Sequence, residues 1–138
     1  MTNKKTLIIS VSALFIVVMV LVCYLFIRQR TGQVVQVPTT ASPKEVAQTF
    51  LSALANGDKN TANAMLQAHI LNDPQYRPYW DKVKGLKLIS LGEPVVNPRH
   101  RGGWFVPYIA RLNSGETLKE RVSVRNDSPG KQWQVDGF

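Results

Sequence analysis

The chain has 138 residues, with 17 Lys and Arg against 9 Asp and Glu and a net charge of +8. That length holds one ordinary domain with short additions, and a single cysteine excludes an internal disulfide framework or any paired-cysteine metal site. From Ser42 onward the balance is only 13 Lys and Arg against 9 Asp and Glu, a net of +4 that gives little basis for a polyanion, so no specific nucleic acid is expected.

Residues 1–6 form a basic flank carrying Lys4 and Lys5. Leu7 to Ile27 follows with 21 residues and no charge. At a rise of about 1.5 Å per residue such a run reaches roughly 31 Å, the thickness of a bilayer core, so the pattern predicts a transmembrane helix over 7–27 and a single-pass signal-anchor. A cleaved signal peptide fits less well, because "YLFIRQR" has no small-x-small cleavage site. Lys4, Lys5 and the amino terminus against Arg28 and Arg30 lean toward an inside amino terminus and an extracytoplasmic carboxy-terminal domain. Cys23 would lie within the membrane.

Residues 28–41 read as a linker, since "TGQVVQVPTTASP" has no helical period. The domain proper then spans 42–138. Ser42, Pro43 and Glu45 make a capping box with Pro at the first helical position, and Val46, Phe50, Leu51 and Leu54 supply the apolar stripe up to Gly57. Asp58 can cap a second helix, on which Ala62, Met65, Leu66, His69 and Ile70 recur at helical spacing. That spacing makes His69 a packed, neutral histidine rather than a ligand. A turn through Asp73 to Arg77 leads to a short helix from Pro78 to Lys84, closed by Gly85, with Tyr79, Trp80 and Val83 inward.

From Leu86 the period changes to two. Strands are predicted at Leu86 to Leu91 with a continuation through Val95 and Val96, at Gly103 to Leu112, at Glu116 to Asn126 and at Lys131 to Phe138. Helices first and hairpin-linked strands after mean an α+β domain with a curved, mainly antiparallel sheet of about four strands. A three-residue loop at Asn113 to Gly115 pairs Leu112 with Glu116, hence Ala110 with Leu118, Tyr108 with Glu120, Val106 with Val122 and Trp104 with Val124. A four-residue loop at Asp127 to Gly130 would set Val124 against Trp133, Val122 against Val135 and Glu120 against Gly137.

With "SPKEVAQTFLSALANGD" at its start and "GKQWQVDGF" at its end, the domain resembles the nuclear transport factor two-like superfamily. The resemblance implies a sheet wrapped around a helix to make a cone with an interior pocket. Its members include isomerases, dehydratases, inactive binding domains and scaffold parts of secretion machines, so fold alone does not assign a function.

Glu120 carries a carboxylate at a position whose neighbours in parity are apolar, and Tyr108 lies opposite as a hydrogen-bond partner. In a dry cone the pair suits general acid or base work, whereas at an open rim Glu120 is simply solvated. Trp80, Tyr108, Glu120 and Gly137 are therefore the pocket candidates. Arg99, His100 and Arg101, in "PRHRGG", could contact an anion or a lipid headgroup, or form a solvated hairpin tip. No phosphate loop, GxSxG, HExxH or dinucleotide motif occurs, and neither a cofactor nor a metal site is expected. The resulting expectation is a membrane-anchored, non-catalytic domain that binds a protein partner, a second copy of itself or a small ligand. The alternatives are an isomerase- or dehydratase-like enzyme using Glu120 and Tyr108, and a structural subunit of an envelope or secretion complex.

Overall fold

Residues 17–22, 34–127 and 130–138 are described in a computed structural model, in which four helices and five strands follow one another from Pro43 onward. The chain divides into two units, Met1–Gln33 and Val34–Phe138. In the first unit the described residues are helical over 17–22. No helix among the described residues is long and apolar enough to cross a membrane. The expected transmembrane helix and signal-anchor are corrected accordingly. Residues 1–16 and 23–33, with the flanking charges on which the expected orientation rests, lie outside the described residues.

The second unit opens with Val34 to Ala41 lying against the domain: Val35 N donates to Thr61 Oγ1 at 3.1 Å, and Val37 and Ala41 pack on the core. Helix α1, Pro43–Asn56, begins as its sequence demands. Ser42 Oγ accepts from Glu45 N at 3.3 Å while Ser42 N donates to Glu45 Oε2 at 2.7 Å. These two bonds hold the Glu45 carboxyl below the usual carboxylate range. Gly57, at φ 66°, ends the helix in the left-handed conformation that a glycine adopts without a Cβ clash. Val46, Phe50, Leu51 and Leu54 are fully buried, so α1 is the helix around which the core is built.

The second predicted helix divides in two. Helix α2, Lys59–Met65, is capped by Asp58, whose Oδ1 accepts from Thr61 N at 3.1 Å. Leu66 is extended (φ −79°, ψ 144°) and forms a parallel bridge with Val135, and Gln67 N donates to Val135 O at 3.1 Å. Helix α3, Ala68–Leu71, resumes the spiral. The side-chain period in this stretch is helical throughout, but a strand edge offers Gln67 N a partner, and that bond interrupts the helix. The break also turns His69 outward, so it is exposed rather than packed. Helix α4, Tyr76–Val83, starts two residues before Pro78, which therefore falls in its first turn, where no N–H is needed. Trp80 and Val83 are buried and Tyr79 is half-buried, as the spacing requires.

The sheet is open and antiparallel with five strands rather than about four: β1 Lys87–Leu91, β2 Val95–Val96, β3 Gly103–Arg111, β4 Thr117–Arg125 and β5 Gln134–Gly137. The order is β1-β3-β4-β5, with β2 paired to β3. Val95 and Val96 form their own strand because "GEP" interrupts the ladder, and Gly92 N bonds Pro107 O at 2.8 Å there. β3 and β4 pair in nine consecutive steps, including Ala110 with Leu118, Tyr108 with Glu120, Val106 with Val122 and Trp104 with Val124. That is the register the three-residue loop predicts. β5 differs: Val124 faces Val135 and Arg125 faces Gln134, while Ser123 faces Gly137 across an irregularity.

The shift of β5 has a local cause. Gly130 and Lys131 both have positive φ, 87° and 51°, so the connection turns twice and absorbs residues that a tight four-residue loop would leave in the strand. At its start Arg125 grips Asp127 through Nε to Oδ1 at 2.6 Å and Nη2 to Oδ2 at 2.5 Å. Because Val135 moves by two positions relative to Val124, it stays on the core face. Gly137, expected opposite Glu120, comes to lie beside Ser123.

The α1 contacts give the first prediction. Replacing Phe50 by Ala should lower unfolding free energy by about 3–5 kcal/mol, against about 1 kcal/mol for Ser42→Ala, in urea titrations of the full chain. Equal costs would mean that α1 is held by its ends and not by its buried face.

Candidate functional site

Two regions of the second unit combine exposed, chemically distinctive side chains: an open hollow beside β5, and the outer edge of the sheet along β1 and β2. The β3–β4 register separates them from the core. Trp104, Val106, Tyr108, Ala110, Val122 and Val124 alternate toward α1, leaving Phe105, Pro107, Arg121 and Ser123 on the opposite face.

Pocket candidates from the sequence divide between core and hollow. Trp80 is buried in the core, with Lys59 Nζ 5.7 Å from its ring centroid. Tyr108 is also buried. Its hydroxyl and that of Tyr79 influence each other's ionisation, and Tyr108 Oη is buried without a hydrogen-bond partner among the described residues. Burial pushes both phenols up from their ordinary value, and the Glu120 carboxylate nearby adds to the shift. Tyr76 is raised by burial as well, and its Oη donates to Asn63 Oδ1 at 2.5 Å.

Glu120 itself is exposed. β5 pairs with β4 only from Ser123 to Arg125, so Glu120 lies beyond the β5 ladder, at the rim of the sheet. The space toward α1 is occupied by Phe138, whose ring meets Phe50 at 4.8 Å and Tyr79 at 5.0 Å between centroids, edge to face in both cases. A carboxylate at the rim and a phenol sealed in the core face each other along the strand pair without enclosing a common cavity.

Glu120, Gly137, Arg99 and His100 are nevertheless brought together. They line one hollow of about 380 Å³, along with Phe105, Arg121 and Asp136. Arg101, the third member of the basic turn, is exposed beside it. The turn is built from Asn97, buried, whose Oδ1 accepts from Arg99 N at 3.0 Å and whose N donates to Gly103 O at 2.9 Å. Sequence reasoning passed over Asp136, Arg121 and Phe105. Their parity marks the face away from α1, but only the displaced β5 register brings Asp136 next to the basic turn. Among the described residues no group of three or more His, Cys, Asp and Glu side chains is placed to hold a metal ion.

The sheet edge has a different chemistry. Leu88 pairs with Ala110 and Ser90 with Ile109, so Ile89 is an unpaired bulge residue. It is 55 % exposed, beside Leu88 at 37 %, Val95 at 59 % and Val96 at 58 %. β1 has no neighbour on its outer side among the described residues. Four aliphatic side chains thus flank an open row of backbone donors and acceptors. No protein-family model, curated protein or solved structure matches this chain.

The buried phenols make a pH prediction. The core accepts the neutral phenol, so the folded-state values of Tyr76, Tyr79 and Tyr108 lie above an unfolded value of about 10. Their contribution to stability is fully present below about pH 10 and is lost as pH rises beyond it. In an ultraviolet absorbance titration, Tyr108→Phe should remove one late-ionising phenol. Ionisation of every tyrosine near pH 10 with circular dichroism still native would contradict the burial.

Proposed function

We propose that the domain is a non-catalytic binding module that docks a protein partner by adding an extended segment of it to the outer edge of β1 and β2. The observation that carries this reading is the combination of an unpaired edge strand with exposed Leu88, Ile89, Val95 and Val96. Main-chain hydrogen bonds along such an edge supply affinity, and alternate side chains of the added strand would meet the aliphatic strip. Lys87, the bulge at Ile89 and Pro94 are features that guard a sheet edge against indiscriminate pairing. The four aliphatic side chains beside them remain exposed, and exposed apolar surface marks interaction sites.

The non-catalytic part of the reading is supported by the different environments of the two candidate catalytic groups. Proton transfer needs both within reach of one substrate atom, in an environment that tunes them toward the working pH. Tyr108 is sealed behind the sheet and shifted away from neutrality, while Glu120 stands in solvent. A place in the nuclear transport factor two-like superfamily is compatible with the proposal and rests on the order of helices and hairpin-linked strands. A docking module also fits as one component of a larger assembly.

A photo-crosslinking residue placed at Ile89 or Val95 should yield a discrete protein adduct in the cells that make the protein, and the same residue at exposed Arg77 on α4 should not. Ile89→Glu should abolish the adduct at Val95 while leaving unfolding stability within about 0.5 kcal/mol, as for other surface substitutions. Adducts that appear equally at all three positions, or at none, would contradict docking along this edge.

A further inference from the structure

We propose that the hollow between the Asn97–His100 turn and β5 binds a small zwitterion of the amino-acid class: an ammonium and a carboxylate carried on a compact apolar body. The inference rests on the charges of this hollow and is independent of the sheet-edge reading. Its volume of about 380 Å³ lies within the range of about 300–1,000 Å³ that small-molecule sites occupy.

Its lining carries both signs of charge, and most of that charge is uncommitted. Arg99, Arg121 and Glu120 take part in no ion pair among the described residues. Arg121 is positioned by an aromatic ring instead, its guanidinium carbon 4.0 Å from the Phe105 centroid. That contact leaves the guanidinium edge, with its fork of donors, available to a carboxylate.

The opposite pole is Asp136. Its side chain is only 9 % exposed, and Oδ1 is buried without a hydrogen-bond partner among the described residues. Oδ2 has Arg125 Nη1 at 3.7 Å, but Arg125 is already held by two bonds to Asp127. The part of the carboxylate that reaches the surface is what the hollow offers a ligand ammonium, which would share it with Arg125. Glu120, exposed on the same lining, offers a second anionic contact at the mouth.

The mixture narrows the ligand. A simple anion such as phosphate would find Arg99 and Arg121 but would sit beside two carboxylates. A simple amine would meet the reverse difficulty. A molecule bearing both charges satisfies both sets, while Phe105 and Phe138 offer apolar contact to the body between them.

Isothermal titration of the full chain with L-phenylalanine and L-leucine, set against L-phenylalanine amide, N-acetyl-L-phenylalanine and inorganic phosphate, tests the assignment. At least one free amino acid should bind, with each capped derivative weaker by about tenfold or more, the loss of one charge-assisted contact. Asp136→Asn and, as a second variant at an exposed position, Glu120→Gln should weaken the free amino acid while leaving N-acetyl-L-phenylalanine unchanged. Arg121→Gln should weaken the free amino acid but not the amide. No binding of either amino acid on the order of 10 mM, equal binding of free and capped forms, or preferential binding of phosphate would overturn the proposal.

Discussion

The pairing of β3 with β4 is the constraint on which the rest of the domain depends. Nine consecutive partners from Gly103 to Arg111 against Thr117 to Arg125 leave no freedom of parity, because a slip of one residue would exchange the two faces of the sheet. One face then carries Val106, Tyr108, Val122 and Val124 to the buried stripe of α1. The other carries Phe105 and Arg121 away from it. Both candidate binding regions are consequences of this division: the aliphatic edge lies where β1 and β2 attach to β3, and the charged hollow lies where β5 attaches to β4.

Much of this was legible because it is local. Ser42, Pro43 and Glu45 specify a helix start whose hydrogen bonds close within one turn, and Gly115 sets a hairpin that propagates its register along two strands. What was not legible depends on contacts between distant segments. Leu66 to Ile70 carries a helical pattern, yet the chain extends at Leu66 and Gln67 because Val135 offers a strand edge. β5 moves by two positions because Gly130 and Lys131 turn the connection, and nothing in "DSPGKQW" announces a left-handed lysine. Leu7 to Ile27 has the length and hydropathy of a membrane helix, whereas no helix among the described residues is long and apolar enough to cross a membrane.

The candidate site shows the same split. Glu120 and Tyr108 are opposed as the hairpin register requires, but whether two opposed residues share a cavity depends on what fills the space behind them. Here Phe138 fills it, wedged against Phe50 and Tyr79. Glu120 is left to the rim, where the shifted strand supplies Asp136 and the basic turn supplies Arg99 and His100. Residues singled out for separate reasons, as a catalytic carboxylate and as an anion-contacting turn, line a single hollow of mixed charge.

The position of β5 decides whether that hollow exists as described, and cross-strand nuclear Overhauser effects measure it directly. Backbone contacts between Val124 and Val135, with none between Val124 and Trp133, are the predicted result. Contacts between Val124 and Trp133 together with Glu120 and Gly137 would contradict it, for they would return β5 to a tight four-residue connection and set Asp136 beside Arg121 in place of Arg125.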